Sequence, residues 1–236
     1  MKRPKPRTIP AALLALLALC AASGCKSTEP EFPLGDPRGM HPVDPVTTAA
    51  IFPLAPRQGA FVVTDGKQKG QSVAYSLSPA GKLWRFRLEG KQDTFFAPAP
   101  EGALGIVREN DAASAVSVAY DPAILTPARL EVGKPCKGVT HMVVHRMVDG
   151  SVRDQGECKY SVELLGWQVL TTPTGRYEAV VVRTTRHIRL RFARVTVMIL
   201  DAYDPDGGQV AQRVEQDLWP LGLVRIREHE ELRLAR

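Results

Sequence analysis

The stretch His229-Glu230-Glu231-Leu232-Arg233 comes within one residue of the helical zinc motif H-E-x-x-H. On a helix, histidines four apart share one face and one zinc ion. Here Arg233 stands at the second histidine position. The segment also alternates polar and apolar residues as a strand does, so no zinc chemistry is expected. His141 and His145 fall on one face of a predicted strand, about 13 Å apart at ~3.3 Å per residue, too far to chelate one ion. Asp204-Pro205-Asp206-Gly207-Gly208, with Glu215 beyond it, has the outline of a calcium loop. Gly208 and Gln209 occupy positions where a ligand and a glycine belong, and Asp-Pro-Asp-Gly is turn chemistry. No G-x-S-x-G, P-loop, C-x-x-C or haem-attachment spacing occurs. We therefore assign no catalytic residue, no metal and no cofactor. A periplasmic hydrolase with dispersed catalytic residues is the alternative.

Two other groups of residues suggest binding or anchoring. If residues 177–200 form one strand, Arg183, Thr185, His187, Arg189 and Arg191 share a face. Val180, Val182, Ile188, Leu190, Phe192, Met198 and Leu200 share the opposite one. The basic row reads as an anion-binding stripe for lipid phosphates or an acidic polymer, set against the plainer reading of a solvated sheet face. The second group is Ala22-Ser23-Gly24-Cys25, which follows the basic start Lys2, Arg3, Lys5, Arg7 and the apolar run Ala11–Ala22. A run of this length is shorter than the roughly 20 residues of a membrane span, so residues 1–24 read as a signal peptide. Small residues before a cysteine resemble a bacterial lipobox, with Cys25 as the lipidated N-terminus. Lys26 after it implies sorting to the outer membrane.

Cysteine arithmetic fits this address. Cleavage removes Cys20 and lipidation occupies Cys25, leaving Cys136 and Cys158 in a compartment that permits a disulfide. A bridge between them is expected, worth about 3 kcal/mol in the chain-entropy model. A hairpin centred on Asp149-Gly150 would place Cys136 opposite Glu163, so the bridge needs a bulge or a folded-back loop. Cleavage also removes four basic residues. The balance becomes 27 Lys plus Arg against 25 Asp plus Glu, a formal charge of +2 rather than +6, which gives no reason to expect a nucleic-acid partner.

The elements that must position these residues are strands. Residues 25–58 carry the lipidated cysteine and a proline-rich tether. Phe32, Ile51, Phe52 and Leu54 are the tether's candidates for docking on the domain. Residues 59–236 show alternating runs cut by turn signals: Asp65-Gly66, Pro79-Ala80-Gly81, Glu89-Gly90-Lys91, Glu109-Asn110-Asp111, Asp149-Gly150 and Thr172-Pro173-Thr174-Gly175. The expected fold is all-β: one curved antiparallel sheet, a half-barrel or open barrel. Val210 to Leu218 is the only helix candidate, and a weak one.

Three segments together resemble the TapB-like envelope lipoproteins of unknown function. They are the run from Tyr120 to Pro135, the run from Val169 to Val182 with Pro173-Thr174-Gly175-Arg176-Tyr177-Glu178-Ala179, and Leu218-Trp219-Pro220-Leu221-Gly222-Leu223-Val224-Arg225. The chain departs from the family at Pro135-Cys136, where a tryptophan is frequent, and at Leu221, where glycine is usual. The resemblance implies a highly curved antiparallel sheet and brings no catalytic residues. Together these readings describe a non-enzymatic outer-membrane lipoprotein. It would bind a lipid or other hydrophobic ligand, or act as an envelope scaffold.

Overall fold

The computed structural model describes residues 31–205, 208–220 and 225–235. Cys25 and the leader lie outside them. The alternating runs form the strands β1 (Val46–Thr47), β2 (Arg57–Gly66), β3 (Ser72–Ala80), β4 (Leu83–Leu88), β5 (Gln92–Pro98), β6 (Leu104–Asp111) and β7 (Val116–Thr126). They continue as β8 (Arg129–Leu130), β9 (Cys136–Arg146), β10 (Val152–Thr172), β11 (Gly175–Leu190), β12 (Ala193–Asp204), β13 (Gly208–Pro220) and β14 (Ile226–Leu234). Twelve of these form one antiparallel meander, β2-β3-β4-β5-β6-β7-β9-β10-β11-β12-β13-β14, and β14 pairs back onto β2. The barrel is thus closed, not the half-barrel or open barrel expected. Leu232, Arg233 and Leu234 take Val63, Val62 and Phe61 as partners, so β14 and β2 leave no open sheet edge at the seam. An even strand number lets an all-antiparallel meander close with an antiparallel seam.

The weak helix candidate is strand β13. It pairs with β12 on one side and β14 on the other, and these two ladders override helix propensity. The long run from Tyr177 to Leu200 is two strands, β11 and β12, joined at Arg191-Phe192. That turn contains no Gly, Pro, Asn or Asp, so it carried no punctuation.

From Glu31 onward the segment read as a tether belongs to the folded unit. Leu34 is buried against Leu170, Val181 and Leu200. The Gln168 side chain holds the segment: its Nε2 donates to the carbonyls of Phe32 (3.2 Å) and Pro33 (2.9 Å), and its Oε1 accepts from the Gly35 N–H (3.0 Å). His41 stacks on Trp167 with ring centroids 4.3 Å apart and exchanges backbone hydrogen bonds with it. This covers the edge of β10 beyond Val162, where the pairing with β9 ends. Gly166 permits the approach: its φ is +143°, and a Cβ there would stand 2.3 Å from the His41 carbonyl oxygen. The chain then forms β1, which pairs with β8, and a single helical turn α1 (Thr48–Ile51). The Thr47 hydroxyl caps that turn by accepting from the Ala50 N–H (3.3 Å). Ile51 and Phe52 are buried in the end of the barrel.

Cys136 and Cys158 are both free. A bulge does lie in the β9–β10 hairpin, between Val152 and Asp154, but it shifts the register by only one residue and sets Cys136 opposite Val162 and Cys158 opposite Thr140. The two cysteines are four positions apart along adjacent strands, about 13 Å at ~3.3 Å per residue. A disulfide tolerates Cα atoms no more than about 7 Å apart, so the expected bridge is not formed.

Candidate functional site

Strand alternation decides which side chains enter the barrel. On β11 the inward row is Val182, Thr184, Arg186, Ile188 and Leu190; on β12 it is Val195, Val197, Ile199, Asp201 and Tyr203. On β7 and β9, beyond β10 in the wall, the inward residues are Val116, Val118, Tyr120, Met142 and Val144. The interior beside β2, β3 and β4 is filled by Phe61, Val63, Val73, Leu77 and Phe86. The remaining space is a cavity of about 1600 Å³ with mostly apolar walls. One end is plugged by α1: Thr48 bonds to Pro127 and Ala128, and Phe52 packs on the rings of Phe96 and Tyr203 at 5.0 and 6.0 Å. The other end, ringed by the β2–β3, β4–β5, β6–β7, β9–β10 and β11–β12 turns, is the mouth. Lys91 reaches across it to bond Glu230 on β14.

Outside the patch that Leu34 covers, much of the outer wall is charged. Glu157, Lys159 and Glu163 on β10, Arg183 and Arg189 on β11, and Arg213, Glu215 and Asp217 on β13 all take the phase opposite to the cavity. Membrane-spanning barrels carry an apolar outer band and a polar lumen. This barrel has the reverse polarity, with charged side chains on these outer positions and mostly apolar ones lining the interior.

Two hydrogen-bonded clusters built on charged side chains stand in the mostly apolar interior. The first is Arg186, only 5% exposed, whose Nη1 donates to Glu109 Oε2 at 2.7 Å. The Tyr120 hydroxyl donates to the same oxygen (2.7 Å), and Gln92 Nε2 approaches the other (3.3 Å). Glu109 faces inward because a bulge between Ile106 and Arg108 shifts the phase of β6; Arg108 turns outward over the Phe95 ring at 3.9 Å. Burial pushes the Glu109 carboxyl up, but the Arg186 charge and the bonds from Arg186, Tyr120 and Gln92 outweigh it and hold it below its usual value. Arg186 Nε is buried and has no partner. The second group is Asp201, whose Oδ1 accepts from Gln209 Nε2 (2.6 Å) and Gln212 Nε2 (2.8 Å). Burial raises its carboxyl to about 6, against the pull of both amides and of Arg186.

The residues singled out from sequence lie elsewhere. Arg183, His187 and Arg189 do share a face, the outer one, but Arg191 leaves the row because β11 ends at Leu190. The row is matched by carboxylates: Arg183 bonds Glu163 at 2.6 Å, and Glu157 stands opposite Arg189 in register. His187 contacts Thr196 at 3.3 Å. His141 and His145 are on the outer phase of β9, and His229 is at the rim, 3.4 Å from Asp65. Among the described residues no three His, Cys, Asp or Glu side chains gather to hold a metal. Asp206 and Gly207 of the calcium-like turn lie outside the described residues.

Glu109, Tyr120, Arg186, Asp201, Gln209 and Gln212 were not anticipated. Arg186 and Asp201 had a signal: each is a charged residue in the apolar phase of its strand, between Thr184 and Ile188 and between Ile199 and Tyr203. Glu109 had none, since its phase depends on a bulge. No protein-family model, curated protein or solved structure matches this chain.

Proposed function

We propose that the chain is a non-catalytic lipoprotein of the bacterial outer membrane, anchored through Cys25, whose barrel binds a hydrophobic molecule end-on. The observation that carries this reading is the cavity: about 1600 Å³ of apolar-walled space, closed at one end and open at the other, inside a charged wall. A scaffold protein would fill that space with its own side chains. The volume exceeds the ~300–1,000 Å³ of pockets for drug-sized ligands, which suits a molecule with long apolar chains. The groups in its depth favour a neutral acceptor on that ligand, an ester or carbonyl rather than a free carboxylate. Arg186 offers an unpartnered N–H, while Glu109 and Asp201 would repel an anion. The TapB-like resemblance brings no activity with it, so the reading rests on the barrel.

The test is the native mass of the exported protein. Reproducible extra mass that leaves on denaturation, and that Val197→Trp reduces by obstructing the cavity, is the expected result. A bare mass together with no uptake of a hydrophobic fluorophore would refute ligand binding. The anchor is tested separately: Cys25→Ser should leave an uncleaved, unlipidated precursor, and normal processing of that variant would refute it.

A further inference from the structure

Eight large apolar side chains are well exposed among the described residues, and six stand at the mouth end of the barrel. Met147, Val148 and Val152 flank the β9–β10 turn, Phe192 lies in the β11–β12 turn, and Trp219 and Ile226 end β13 and begin β14. Val148 is 86% exposed and Phe192 56%. Because β9 through β14 are consecutive in the wall, these three connections are neighbours and form one arc of the rim. Among the described residues the plugged end has no such arc.

Arginines are interleaved with these side chains. Arg191 lies 5.0 Å from the centre of the Phe192 ring and Arg225 5.7 Å from that of Trp219. Residues 146–154, 191–194 and 217–227 together hold six arginines against three aspartates. Asp217 is already bonded to Arg225 and Arg227, at 2.6 and 3.0 Å. A row of separate apolar tips, each with a guanidinium beside it, is poorly shaped to pack against a folded protein, which presents a continuous surface. It is well shaped to enter the headgroup layer of a bilayer, where the tips meet acyl chains and the arginines meet phosphates.

We propose that this arc of the rim docks the mouth of the barrel on an anionic lipid surface. The inference goes beyond ligand binding and does not depend on it. It also moves the site of anion recognition from the compensated outer row at Arg183 and Arg189 to the rim.

The test uses the full chain with Trp84→Phe and Trp167→Phe, which leaves Trp219 as the only indole of the three. Vesicles of phosphatidylglycerol and phosphatidylcholine carrying brominated acyl chains are added, and Trp219 quenching is read. The readout is local to the rim, so attachment through the N-terminus alone does not produce it. Quenching on phosphatidylglycerol vesicles, weakened by salt and lost in Val148→Asp with Phe192→Asp, is expected. Bimane on Val148→Cys, in a chain that also carries Cys136→Ser so that this free thiol is not labelled, reads the same contact without altering the tryptophans. Absence of both signals, or quenching that survives the double aspartate variant, would overturn the proposal. Quenching by a protein partner with none by vesicles would overturn it too, and would make the rim a protein-docking surface.

Discussion

Replacing Arg186 by methionine keeps the length of the side chain and removes its charge. Glu109 would then be buried with only Tyr120 and Gln92 as donors. Removing one partner of a buried ion pair costs about 3–5 kcal/mol, mostly from the carboxylate left behind. For a domain of this size each kcal/mol moves the unfolding midpoint by about 2–4 °C, so Arg186→Met should lower it by roughly 6–20 °C. The loss should depend on pH. In the native protein the Glu109 carboxyl lies below its usual value, so its contribution is full above that value and is lost as pH falls through the folded one. Without Arg186, burial dominates and raises the folded carboxyl above its unfolded value. The destabilisation should therefore grow as pH rises through that interval and shrink below it. Adding Glu109→Gln removes the stranded charge while retaining an acceptor for Tyr120, and should restore most of the loss. Thermal unfolding followed by circular dichroism at pH 4 and pH 8 measures all three variants. A loss below about 1 kcal/mol, or a double variant no better than the single one, would show that the two groups do not form a coupled pair.

Three further outcomes are expected. Burial holds the Asp201 carboxyl near 6, above its unfolded value, so this group costs stability as pH rises from about 4 through 6; Asp201→Asn should flatten that part of the pH–stability curve, and an unchanged slope would place the titration elsewhere. Gly166→Ala should cost about 1–3 kcal/mol and release the His41 strand, seen as faster hydrogen exchange of the His41 and Trp167 amides, because the residue must hold a φ of +143° against a carbonyl. In native protein Cys136 should be alkylated well before Cys158, whose thiol is fully buried and raised by that burial to about 11; resistance of both thiols to alkylation until a reductant is added would restore the bridge.

Most of the wall could be read from the chain because strand alternation is local. Lys82 to Leu88 and Val139 to Arg146 announce themselves residue by residue, and Gly81, Gly90 and Gly150 mark turns where φ is positive. Closure was not legible. It depends on Leu232 and Leu234 finding Val63 and Phe61, and no local pattern specifies that partnership. The docking of residues 31–52 was half legible. The prolines indicated an extended segment, but only the barrel supplies Gln168 to clasp it and an open end for Phe52 to fill. The polar interior was hidden for two reasons. Arg186 is a single charge among Val182, Thr184, Ile188 and Leu190, which alternation alone does not mark as a site, and Glu109 owes its direction to a bulge that shifts the strand by one residue.

The seam between β14 and β2 has a consequence for how the molecule comes into being. The Thr64 hydroxyl donates to the Glu231 carbonyl oxygen (3.4 Å), 167 residues later in the chain. Each earlier hairpin can form as soon as its second strand is available, but until the last strand arrives the growing sheet has two open edges and an uncovered apolar face. Such long-range pairing is slow and leaves the chain prone to aggregation in the interval. Closure therefore comes last, and a chain truncated before Ile226 would lack the strand that joins the two edges.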